Sequence, residues 1–235
     1  MVSTSERTFG QRYTKGRDLV EYLKLVTTYA PTETAIQPAN LTTLLNSIDA
    51  ANSEVGAAKS TLQTERDERI VMFKNSTTGL ITRCAQIRDY IASFHTQGKK
   101  ALDFKKVQKI VMLMRGIRLS KKPPVTEGGK KSVSTSERSY GSMLQAGKDV
   151  LEVIKTIAGY APSNTEITVA NFTTMLAAID AKNSSVAAMQ ETYDNKVETR
   201  ASLYNDLSGR VTKVKAALAS QYGKQSNEYK DSVKY

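Results

Sequence analysis

From Phe9 onward the apolar or small positions Tyr13, Gly16, Val20, Leu23 and Val26 return every three or four residues, which puts them on one face of a helix. The stripe recurs as Tyr140, Leu144, Gly147, Leu151, Ile154 and Ile157. Pro31 and Pro162 bias the residues before them away from helical geometry, so these first helices are predicted to stop near Tyr29 and Tyr160. A longer stripe with a near-seven-residue rhythm follows: Leu41, Leu44, Ile48, Val55, Leu62 and Arg69, matched by Phe172, Met175, Ile179, Val186 and Tyr193. It predicts long second helices, to about residue 73 and about residue 205, with left-handed, bundle-like packing. Asn52 and Asn183 fall near this seam, where a polar residue fixes register at some cost in stability. Ser163 and Glu166 have capping-box spacing at the start of the later long helix; Thr32 and Ala35 leave the earlier box incomplete. A break at Asn75-Ser-Thr-Thr-Gly79, echoed at Ser208-Gly209, leads into third helices from about Leu80 to Phe94 and from Val211 to Tyr222. Nothing alternates with period two over a useful length, so no strands are expected.

These parallels come from an internal duplication. Val2-Ser-Thr-Ser-Glu-Arg-Thr-Phe-Gly10 returns 131 residues later as Val133-Ser-Thr-Ser-Glu-Arg-Ser-Tyr-Gly141. The same shift aligns Tyr29-Ala30-Pro31 with Tyr160-Ala161-Pro162, Asn40-Leu-Thr-Thr-Leu-Leu45 with Asn171-Phe-Thr-Thr-Met-Leu176, and Asn52-Ser53 with Asn183-Ser184. Farther on, Gly98-Lys99 and Phe104-Lys105 match Gly223-Lys224 and Tyr229-Lys230 after a short gap. The expected fold is all-α: two tandem, homologous antiparallel helical bundles, each of three long helices plus a short terminal helix. The expected domains are 1–114 and 133–235, joined by a Pro/Gly/Lys-rich basic linker at 115–132. The recurring Ser-Thr-Ser-Glu-Arg-x-[Phe/Tyr]-Gly, Tyr-Ala-Pro and Gly-Lys-x-x-x-x-[Tyr/Phe]-Lys motifs resemble those of uncharacterised bacterial helical tandem-repeat proteins with no assigned activity. The resemblance covers both copies; it implies the repeat architecture and nothing about mechanism.

Charge is spread unevenly over this frame. The chain carries 34 Lys and Arg against 23 Asp and Glu, a net +11. Residues 1–98 and 132–235 contribute +1 each, while 99–131 contribute +9. The basic residues of that connector are Lys99, Lys100, Lys105, Lys106, Lys109, Arg115, Arg118, Lys121, Lys122, Lys130 and Lys131, against Asp103 and Glu127. Lys99 to Met114 has helical spacing, with Leu102, Val107, Ile110 and Met114 on one side and Lys105, Lys106 and Lys109 on another. Beyond Arg115 the composition is that of an extended linker. Basic segments of this kind bind polyanions by releasing condensed counterions, independently of sequence. A Lys-rich spacer that keeps two bundles soluble and apart has the same composition, and the amphipathic stretch from Phe104 to Leu119 also suits an anionic membrane surface.

Residues for catalysis are few. One Cys and one His make neither a disulfide nor a multi-histidine or Cys-rich metal site. His95 falls at a helix end, where a cation favours the exposed carbonyls. Cys84, beside Arg83 and Arg88, has a lowered pKa if exposed. Glu65, Asp67 and Glu68 alternate with Arg66 and Arg69 and read as a solvated face. Tyr13, Tyr29, Phe73 and Tyr90 sit at helical-face or repeat positions that suit core packing over base stacking. No phosphate loop, Cys-and-His finger or RNA-binding aromatic motif is present, so no enzyme, no cofactor and no base-specific reading are expected. No export signal is visible and the longest apolar run, Ile110 to Met114, is too short to span a bilayer, which points to the cytoplasm. Two readings remain: a non-enzymatic binder of nucleic acid or another polyanion through the connector, or a structural, self-assembling scaffold in which the duplicated bundles make protein contacts and the connector is a spacer.

Overall fold

The structure, a computed structural model, describes residues 4–117 and 139–235, the side chains of 4–7 excepted. All regular structure among the described residues is helical, as expected. The first copy supplies α1 (Thr4–Leu25), α2 (Pro38–Lys74), α3 (Leu80–Phe94) and α4 (Leu102–Met114). The second supplies α5 (Tyr140–Thr156), α6 (Val169–Tyr222) and α7 (Asn227–Ser232).

Helices α1 and α5 stop four residues short of Tyr29 and Tyr160, because those tyrosines turn inward to hold the next turn. The Tyr29 hydroxyl donates to the Ile36 carbonyl at 3.2 Å, and Tyr160 donates to Ile167 at 2.8 Å. Each clamps a short 3-10 turn, Thr34–Ile36 or Thr165–Ile167. A second clamp comes from the Asn40 and Asn171 amides, which donate to the Thr34 and Thr165 carbonyls at 2.7 and 2.9 Å. The repeated Tyr-Ala-Pro and Asn-x-Thr-Thr motifs are thus the two ends of one loop fastening. The expected Ser163–Glu166 capping box does not form. Asn164 accepts the Glu166 N–H and Thr168 accepts the Asn171 N–H, while the Glu166 carboxylate meets Arg83 at 3.1 Å.

The break expected at Ser208-Gly209 is absent, and α6 runs through it. In the first copy the break is real. The Asn75 side-chain oxygen accepts the N–H groups of Thr77 and Thr78 at 2.8 and 2.9 Å, which holds the chain out of the helix. Gly79 then passes so close that a Cβ would lie 2.6 Å from the Asn75 nitrogen. At the matching place in the second copy Asp206 pairs with Arg210 along the helix at 2.8 Å, and Leu207 is buried. The four extra residues of the first copy, 75–78, amount to about one helical turn, so the buried positions on either side keep step. Leu80, Ile87 and Ile91 in one copy correspond to Leu207, Val214 and Leu218 in the other, all buried.

The chain forms two compact units, and their limits differ from the expected 1–114 and 133–235. A terminal unit consists of Met1–Thr61 with Gln190–Tyr235, and a central unit of Leu62–Met189. The boundaries fall inside α2 and α6, so each long helix serves both units. The core of the terminal unit joins Leu19, Leu23, Leu41 and Ile48 of the first copy to Tyr204, Leu207, Val214 and Leu218 of the second. The core of the central unit joins Phe73, Leu80, Ile87 and Val107 of the first to Met143, Val150, Phe172 and Ile179 of the second. The copies have exchanged halves. The aromatic contacts show it directly: Phe9 lies on Tyr204 with ring centroids 4.6 Å apart, and Phe73 on Tyr140 at 5.0 Å. Phe9 and Tyr140 are repeat equivalents, as are Phe73 and Tyr204. Two equivalent arginines complete the pattern, Arg200 over Phe9 at 4.8 Å and Arg69 over Tyr140 at 4.0 Å.

Gly79→Ala is expected to lower stability by about 1–3 kcal/mol, since the added methyl meets backbone that cannot rotate away. Deleting residues 75–78 is expected to leave helical content and cooperative unfolding intact, because register is kept. Circular dichroism with urea titration checks both, and a deletion variant that fails to fold would contradict the one-turn reading.

Candidate polyanion-binding surface

The connector's basic residues divide into a described and an undescribed set. Lys99 and Lys100 lie in a 3-10 turn, Gly98–Lys100, that Gly98 enters with a positive φ of 51°. Lys105, Lys106 and Lys109 lie on α4, and Arg115 follows its last residue. All six are exposed. Arg118, Lys121, Lys122, Lys130 and Lys131 lie outside the described residues.

What orients the first six is the core on the other side of α4. Val107, Val111 and Met114 are buried, and the buried Ala101 anchors the start of the helix. Lys105 and Lys109, one turn apart, therefore face away from the core. The expected apolar side is corrected at one position: Leu102 stands out in solvent beside the lysines, 73% exposed. Lys106 pairs with Asp103 at 3.4 Å. Lys99, Lys100, Lys105, Lys109 and Arg115 have no acidic partner among the described residues, so their charge is open to a ligand. The matching segment of the second copy keeps Lys224 and Lys230 exposed, but Lys234 is paired with Asp231 at 2.5 Å.

Both flanks of the undescribed stretch belong to the same core. Val111 and Met114 of α4 pack in one apolar cluster with Met143 and Leu144 of α5. The connector thus begins and ends on the central unit, and the chain passes between units within α2 and α6.

Other candidates resolve into structural roles. Cys84 is fully buried, and burial pushes its thiol up to about 12, the reverse of the activated thiolate expected for an exposed position. Arg83 is turned to Gln86 and Glu166, and Arg88 to Asp89 and Gln108. His95 is the C-cap of α3 and its Nδ1 accepts the Gln97 N–H at 3.3 Å. Among the described residues no group of three or more His, Cys, Asp or Glu is placed to hold a metal ion. None of their helices is long and apolar enough to cross a membrane.

The acidic stretch of α2 is exposed at Arg66, Asp67 and Glu68, as its alternating charges suggest, while the half-buried Glu65 is turned to α6. Lys182 of α6 lies 3.0 Å from Glu65 and 2.7 Å from Glu68, and the Ser185 hydroxyl donates to Glu65 at 2.7 Å. Asp67 accepts from Gln63 at 2.9 Å. The Ser185 hydrogen bond, then Lys182, holds the Glu65 carboxyl below its ordinary 4.5. Glu68 and then Glu65 hold the Lys182 ammonium above its ordinary 10.5. The signal for this network is present in the repeat: the position equivalent to Glu65 carries Lys196.

Comparison of the chain with protein-family models, with curated proteins and with solved structures gave no match.

Because the folded-state pKa of Glu65 is depressed, its contribution is present above the ordinary carboxylate range and is lost as pH falls through the lowered value. Stability of the central unit is therefore expected to decline on acidification from about pH 4.5 downward. Lys182→Met is expected to flatten part of that decline, measured by urea unfolding across pH; an unchanged profile would remove Lys182 from its cause.

Proposed function

We propose that the chain is a non-enzymatic binding protein that holds nucleic acid, or another phosphate-rich polyanion, through the basic connector without reading base sequence. In this reading the two copies are homologous helical modules that form a platform for the connector, and the protein works in the cytoplasm. The observation that carries it is the set of exposed cations from Lys99 to Arg115, five of them without an acidic partner among the described residues, leading into the five further Lys and Arg residues of 118–131. Phosphate contacts of this kind give affinity and position but no base specificity. The spacer reading loses its purpose where both flanks of the connector rest on one core, since there is then no distance between bundles for it to set. A scaffold role for the duplicated copies has support of its own in the exchanged halves, because elements that pair within one chain offer the same surfaces to another.

Binding to random double-stranded DNA and RNA, measured from about 50 to 200 mM salt, tests the proposal. With about six to ten phosphates engaged, affinity is expected to fall by about a thousandfold or more over that range. The variant Lys105→Gln with Lys109→Gln is expected to weaken binding for every sequence alike and to reduce the salt slope by about 2. No binding at the lowest salt would overturn the proposal and leave protein–protein assembly as the role of the copies.

A further inference from the structure

We propose that the paired α2 and α6 faces carry a charge code that selects the second copy as the partner of the first and rejects pairing of like with like. The inference is independent of polyanion binding. It rests on two contacts that occupy equivalent places in the two units. In the central unit Glu65 of α2 meets Lys182 and Ser185 of α6. In the terminal unit Lys196 of α6 meets Glu54 of α2 at 2.9 Å. Glu65 and Lys196 are repeat equivalents, and so are Glu54 and Ser185. One structural position therefore recurs with its charges reversed.

That reversal decides which pairings are complementary. If two first copies from different chains exchanged halves, Glu65 of each would face Glu54 of the other, two like-charge contacts. If two second copies did so, Lys196 of each would face the side that carries Lys182. Only the pairing of unlike copies sets opposite charges together in both places. A neutral difference bears on one of the two like pairings. The Asn52 amide donates to the Tyr204 hydroxyl at 3.1 Å, whereas the equivalents of these residues are Asn183, whose buried Oδ1 has no partner among the described residues, and Phe73, which has no hydroxyl. Two first copies paired together would lose this bond; two second copies would keep Asn183 opposite Tyr204, so that pairing is opposed by charge alone. Reversed charges at matching positions are how paired helices are known to discriminate partners, with repulsion against the wrong one as important as attraction to the right one.

The partner selected is thus the other copy of this chain, and in a concentrated solution the second copy of a neighbouring chain. In trans, exchange closes into a two-fold dimer with unlike copies together in every unit, and chains cannot associate through like copies.

The full chain, carrying a specific protease site inserted between Gly128 and Gly129, is folded, cut at that site, unfolded in urea and refolded by dilution. Native mass spectrometry then counts the pairs. The wild-type halves are expected to return as the unlike pair, in excess over like pairs on the order of tenfold. The decisive variant is Glu54→Lys with Lys196→Glu. Within the unlike pair it keeps an opposite-charge contact at both places. In a first-copy pair, however, the lysine introduced at position 54 now faces Glu65, and in a second-copy pair the glutamate introduced at position 196 now faces Lys182. The variant is expected to fold and to yield like pairs in comparable amount to unlike ones. A wild-type mixture already rich in like pairs would overturn the code, as would a variant that still forms unlike pairs alone. Cut wild-type halves that do not re-pair at all would overturn it too, since pairing would then depend on the connector and not on the seams.

Discussion

The pairing of one copy's first half with the other copy's second half is the contact on which the rest of the structure depends. Ile48, Leu41 and Leu23 are fully or almost fully buried, and in the terminal unit the surface that covers them includes Tyr204, Leu207, Val214 and Leu218. Each such side chain contributes about 1.5–3 kcal/mol when removed from water. The central unit repeats the arrangement with the copies in opposite roles, Met143, Val150 and Ile154 meeting Leu80, Ile87 and Ile91. A duplicated sequence makes this possible, because whatever surface fits the partner's half also matches its own. The preference for the unlike half is held in a few polar positions on an apolar seam that is otherwise nearly the same in both copies.

Exchange also places the described flanks of the connector, α4 and α5, in one core. Had each copy closed on itself, residues 115–132 would have joined two bodies. With halves exchanged, the last helix of the first copy and the first helix of the second pack into one core, and the cations from Lys99 to Arg115 are displayed on the outer side of that core. Five of them lack acidic partners among the described residues. Their charge is therefore a property of an anchored surface, with α4 as its floor, and a polyanion engaging it would extend onto the rest of the connector.

Much of this is legible in the sequence, and the limits have physical causes. Helix type follows from the three- and four-residue spacing of Val20, Leu23 and Leu41, which the core absorbs as expected. The capping box at Ser163 fails as a signal because Asn164 takes the Glu166 N–H that Ser163 would accept, and the long helix starts later, where Thr168 accepts the Asn171 N–H. The Ser208-Gly209 pair fails as a break because one glycine in a helix costs only about 1 kcal/mol, less than the buried Leu207 and the Asp206–Arg210 pair offset. Exchange itself cannot be read from periodicity, since the same stripes serve either pairing. The charge reversal between Glu65 and Lys196 does point to it, but it has meaning only once the two positions are known to face unlike partners. For the candidate surface, the position of every cation comes from the sequence, whereas the shared core of α4 and α5 requires the structure.

The most direct test of exchange is a through-space proton measurement between aromatic rings, on dilute monomeric chain with phenylalanine and tyrosine selectively labelled. Exchanged halves place Phe9 against Tyr204 and Phe73 against Tyr140, with centroids 4.6 and 5.0 Å apart. Strong cross-peaks between those pairs are expected. Cross-peaks from Phe9 to Phe73 and from Tyr140 to Tyr204 would show each copy closed on itself and would contradict the exchanged fold.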